Sequence, residues 1–197
     1  MDTVTLADRS VRRLGVSAAV LRTTGMWGEP ADRGAAIETL RRAVQLGADV
    51  VEVPFPFGPA ADLVREAGVA GAFLVVRLTT PVASLDMVTA RLGGRRPDLV
   101  LAEPDPAAAI QSWPVPLGVV LRHEAVPPPG AEAVLGPFPP PPRLLEACEA
   151  ADIPYLAPAL EILGAGRLTI ALPAPRSVAE VERVFGGAAT PPAAGPG

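Results

Sequence analysis

Apolar residues run through this chain in two alternating rhythms. Across residues 32–47 they fall at helical spacing, with Ile37, Leu40 and Val44 on one side and Arg41, Arg42 and Gln45 on the other. Asp32 is placed to cap the N-terminus, and Gly47 to take the left-handed residue past the C-terminus. The pattern then condenses into Val50-Val51-Glu52-Val53, a buried strand. Helix, tight turn and buried strand make one α-to-β step of a repeating α/β protein.

The same alternation predicts the remaining elements. Residues 3–14 alternate around Asp8-Arg9 and read as a hairpin, and 15–21 is an apolar strand. Helices follow at 60–67 and 83–92, with strands at 73–78 and 98–101. A short helix fits 105–113 and a strand 116–121; another candidate strand, 131–135, comes after the Pro-rich stretch with no helical segment between. A helix at 143–151 and a strand at 153–157 follow. Residues 160–166 are too few for a helix with its turns, 168–172 is the eighth strand, and Ser177 caps a last helix running to Phe185.

Eight strands with the fifth and seventh helices trimmed to loops predict a compact (β/α)8 barrel, at a length near the low end for that fold. An open doubly wound sheet is the alternative. The expected organisation is one domain over residues 1–187 and a disordered Pro/Ala/Gly tail over 188–197.

Composition narrows the chemistry. The 197 residues carry a net charge of −4 with 19% charged side chains, which recommends neither a nucleic-acid surface nor a membrane as partner. All 17 cationic residues are Arg, so a Schiff-base or general-base lysine is excluded. One Cys, Cys148, excludes an internal disulfide; with one His there is no zinc constellation, and no metal is expected. Cys148, on a predicted helix, reads as a small packed side chain. The N-terminal residues carry no signal-like region or long apolar run, so a cytoplasmic location is expected.

The stretch 25–58 resembles the aldo-keto reductases. The likeness is carried by Trp27-Gly28-Glu29-Pro30-Ala31-Asp32-Arg33 and by Leu40-Arg41-Arg42-Ala43-Val44; it covers most of the chain, strongly over 10–68 and near 143–185 and weakly between 80 and 135. The resemblance implies a barrel closed at the bottom by the N-terminal hairpin, with NADPH-dependent carbonyl reduction at its mouth. It places the family's catalytic aspartate on Glu52, its tyrosine on Phe57, its lysine on Arg77 and its histidine on Ala102 or Glu103. Where the family contacts the cofactor, this chain has Val120-Leu121, Leu135, Ala157 or Pro158, and Ala174-Pro175-Arg176-Ser177.

The resemblance thus implies the scaffold without the reducing groups. Glu52 and Arg77 keep an acid and a base, but a guanidinium does not give up its proton as a buried lysine can. His123, beside Glu124 after strand five, is suited to proton transfer and would project near the mouth with Glu52, Arg77 and Glu103. Trp27, Phe55, Phe57 and Phe138 are candidates for an apolar aromatic pocket. Arg176 and Ser177 are the remaining candidates for touching an anionic cofactor. Tyr155, inside strand seven, reads as core.

The function expected is a barrel that has lost carbonyl reduction, needs no cofactor, and binds a small apolar molecule or a protein partner or runs a redox-free step. A homo- or hetero-oligomer would cover flanks left bare by the trimmed helices. The alternative is an active reductase that uses NADPH with a substitute proton donor.

Overall fold

The structure, a computed structural model, describes residues 3–19, 21, 28–56, 58–80, 84–103, 110–121, 127–137, 139–158 and 169–186. An antiparallel hairpin opens the chain: β1 (Thr3–Leu6) pairs with β2 (Arg9–Arg12). Its turn is Ala7-Asp8, one residue earlier than the sequence pattern suggests, because Ala7 takes the positive φ of 53° and Arg9 already pairs with Leu6.

Eight parallel strands follow in unbroken chain order. They are β3 (Val16–Ser17), β4 (Val50–Phe55), β5 (Phe73–Leu78), β6 (Leu99–Ala102), β7 (Leu117–Val120), β8 (Val134–Leu135), β9 (Tyr155–Ala157) and β10 (Thr169–Ala171). Between and after them lie α1 (Arg33–Gln45), α2 (Ala60–Ala67), α3 (Leu85–Arg91), α4 (Pro142–Ala150) and α5 (Val178–Gly186). The first and last strands meet: Gly15 N–H donates to the Ala171 carbonyl (2.9 Å), Ala171 N–H to Arg13 (2.9 Å) and Ser17 N–H to Pro173 (2.8 Å). These bonds bring the sheet round into a (β/α)8 barrel rather than an open doubly wound sheet.

Strand alternation sorts side chains into two layers. Val51, Val53, Phe55, Leu74, Val76 and Val100 face out and pack under the helices with Leu40, Leu63, Val88 and Phe185. Val50, Phe73, Val75, Leu99, Leu101, Leu156 and Ile170 form the lumen, where Val4, Leu6 and Val11 of the hairpin join them. The hairpin is therefore the barrel's floor. Arg12 fastens it by donating Nε and Nη2 to Asp49 at 3.0 and 2.6 Å. That pairing holds the Asp49 carboxyl below the usual carboxylate range.

Most predicted elements sit within a residue or two of the observed ones. On α1 the buried face is Ala36, Thr39, Leu40 and Ala43, with Ile37 and Val44 only at its margin. Small residues there let the helix lie close to the sheet, and Thr39 satisfies its hydroxyl on the Ala35 carbonyl (2.7 Å). The predicted strand 15–21 shortens to β3, flanked by backbone bonds at Gly15 and Ala18. The predicted helix at 105–113 and the tail at 188–197 fall largely or wholly outside the described residues, as does 160–166. Among the described residues between β7 and β8, none is helical.

Candidate functional site

A cavity of about 520 Å³ opens at the end of the barrel opposite the hairpin, where the strands finish. Its two sides differ in character. Ser17, Glu52 and Arg77, from β3, β4 and β5, make a polar corner; Val120, Leu121, Leu135, Pro137, Pro158 and Leu172 make an apolar wall.

Register explains the corner. Ser17 is the direct cross-strand partner of Glu52, and Glu52 is the partner of Val75, so Arg77 lies two residues further along the same face of β5. Three consecutive strands thus aim a hydroxyl, a carboxylate and a guanidinium into one end of the lumen.

The geometry of the corner is closed on itself. Arg77 Nε donates to Glu52 Oε1 at 2.7 Å, and Ser17 Oγ donates to Glu52 Oε2 in a short hydrogen bond. Ser17 Oγ in turn accepts the Ala19 N–H (3.2 Å). Glu52, 2% exposed, has each carboxylate oxygen engaged by a donor. The Arg77 side chain is 28% exposed and reaches the cavity. A buried carboxylate held this way is fixed in place by its partners, as a desolvated charge requires.

The other candidates are placed differently. Glu103 is half-buried one residue past β6, on the alternation of Leu99 and Leu101. Phe55 is not a pocket residue: it is 4% exposed on the outward face of β4, packed under the helices, because its parity opposes that of Glu52. Trp27, Phe57, His123 and Phe138 lie outside the described residues. Tyr155 is fully buried with its hydroxyl donated to the Pro137 carbonyl in a short hydrogen bond, and burial pushes its ionisation upward. Cys148 packs with it between α4 and the sheet.

Arg176 and Ser177 lie at the start of α5. Ser177 Oγ accepts the Glu180 N–H (3.2 Å), while Glu180 Oε2 accepts the Arg176 N–H (2.7 Å), a reciprocal capping arrangement. The Arg176 side chain is exposed. Pro175, just before, contributes no N–H.

Sequence reasoning missed Ser17. Its signal was modest but present: a lone hydroxyl where an apolar strand ends, two positions past Gly15 on the inward parity.

No protein-family model matches the chain. The chain is 40% identical to pyridoxine 4-dehydrogenase of Escherichia coli over 68 residues, which is 34% of this chain and 24% of that protein. It is 36% identical to an uncharacterized oxidoreductase of Schizosaccharomyces pombe over 67 residues, 33% of this chain and 22% of that protein. The chain thus spans about a quarter of the length of the curated relatives it matches. In three dimensions it is similar to an aldo/keto reductase from Klebsiella pneumoniae in complex with NADP and acetate, with a TM-score of 0.69 at 15% identity, over 95% of this chain and 90% of that one. The fold is that of the aldo/keto reductases.

Proposed function

We propose that this chain, built on the aldo/keto reductase fold, binds a small, largely apolar molecule at the barrel mouth and no longer performs NADPH-dependent carbonyl reduction. The observation that supports this most is the closed polar corner. Carbonyl reduction needs a group that hands a proton to the substrate oxygen at the moment hydride arrives. A guanidinium such as that of Arg77 is not a group that hands over its proton in this way. The Ser17 hydroxyl proton is directed at Glu52, and Glu52 is held as an acceptor by both neighbours.

The start of α5 argues in the same direction. A helix N-terminus binds phosphate through free N–H groups and a positive dipole end. Here Glu180 brings its own carboxylate to that end, Ser177 takes the Glu180 N–H, and Pro175 has none to offer. A phosphate would have to displace a like charge. Among the described residues, the start of α5 does not fit the phosphate groups of the cofactor that the Klebsiella neighbour holds.

The apolar wall supplies the alternative use. Cavities of a few hundred Å³ with apolar walls and a small number of convergent polar groups are the usual form of small-molecule sites. Fluorescence titration of the protein into NADPH is expected to show no change of nicotinamide emission at micromolar concentrations. Micromolar binding would restore the reading of an active reductase with a substitute proton donor and overturn the present one.

A further inference from the structure

We infer that the mouth cavity takes a small monocarboxylate with an apolar body, its carboxylate clasped by the outer edge of Arg77. This deepens the ligand-binding reading above and rests on it. A guanidinium offers two edges for paired hydrogen bonds, one including Nε and the other formed by Nη1 and Nη2. Glu52 occupies Nε. Among the described residues, the Nη1–Nη2 edge meets no acceptor, although Arg77 is only 28% exposed and lines the cavity.

Glu52, itself fixed by Ser17, holds the guanidinium from behind, so its orientation is set before a ligand arrives and less freedom is lost on binding. The planar Nη1–Nη2 edge matches the two oxygens of a carboxylate. Charge limits the choice. The Glu52–Arg77 pair is neutral in sum, so one negative charge gains from the nearer guanidinium, whereas a second would face Glu52 with nothing to offset it. A monocarboxylate is favoured over a phosphate monoester on that ground. The opposite wall, Val120, Leu121, Leu135, Pro158 and Leu172, offers the rest of the ligand hydrocarbon contacts alone.

Calorimetry and thermal shift on the full chain test this with butanoate, hexanoate and octanoate against the corresponding primary amides and against inorganic phosphate. The carboxylates are expected to bind with affinity rising with chain length, and each amide to bind about tenfold or more weakly, the effect of losing a charge-assisted pair. The paired variant Glu52→Gln with Arg77→Met avoids leaving a lone buried charge; confirmed folded by circular dichroism, it is expected to lose the preference for carboxylate over amide.

Amides binding as tightly as carboxylates would overturn the carboxylate assignment while leaving an apolar ligand cavity standing. Phosphate binding more tightly than hexanoate would also overturn it, as would a folded paired variant that keeps the preference. No binding by any probe would sink this inference, while the NADPH titration judges the loss of reduction separately.

Discussion

Glu52 shows how much of a site one residue of register decides. It is the one charged residue of an otherwise apolar strand and shares the inward face with Val50, while its neighbours Val51 and Val53 point to the helices. Its pairing with Arg77 was legible through the family resemblance, which puts the two residues at the places of the family's catalytic aspartate and lysine. Ser17 was harder to read, because its modest signal sits in Val16-Ser17-Ala18, which has the composition of any strand end. Phe55 was misplaced for the opposite reason: aromatic identity suggested a pocket, while parity put it in the outer core.

Cys148 and Tyr155 give this scale its pH dependence. Burial, helped by the charge of Glu149, pushes the Cys148 thiol from 9.0 up to about 11, and burial raises Tyr155 as well. Both are acids whose neutral form the fold favours. Their contribution to stability is therefore complete below the unfolded thiol value and is lost as pH climbs from 9.0 toward about 11 and beyond. Chemical denaturation at stepped pH is expected to show a falling midpoint over that range, and a smaller fall in Cys148→Ala. A flat midpoint across it would contradict the assignment.

At the scale of elements, the helices followed their local signals and the strands needed the ring. Asp32, through its side-chain bond to the Ala35 N–H (2.8 Å), starts α1 where the capping rule puts it. Ser84 does the same for α3 through the Met87 N–H (3.2 Å). The short strands β3, β8 and β9 are set by pairing across the sheet, which no local window contains, so their ends were the least readable. Gly118 illustrates the constraint. A Cβ there would press on the Leu101 side chain and come within 2.9 Å of the Ala133 carbonyl oxygen. Gly118→Ala is expected to cost about 1–3 kcal/mol by overpacking between β6 and β8, read as a lowered midpoint in urea. An unchanged midpoint would mean the lumen has slack at this layer.

For the whole molecule, the barrel's order from bottom to top is floor, apolar lumen and a mouth with one polar corner and one apolar wall. Removing the hairpin through Arg12 takes away Val4, Leu6, Val11 and the Arg12–Asp49 pair together, and opens the lumen to water. At about 1.5–3 kcal/mol for each large buried side chain, the loss is roughly 5–9 kcal/mol, a large share of a domain's stability. The shortened chain is expected to melt earlier and to bind a hydrophobic dye such as ANS at room temperature. Native-like melting without dye binding would show that the floor is dispensable. The hairpin and the fold class were both readable from the sequence; how the ring closes was not, because it depends on residues far apart along the chain.

The seam between Leu14–Ser17 and Ala171–Pro173 also has a bearing on how the protein is made. A ribosome delivers one side of this join early and the other only near the end of the described chain. Until then the growing sheet carries two bare rims of peptide groups, each a template for a stray strand. Shielding by chaperones would matter most in that interval, and the arrival of the eighth strand ends it.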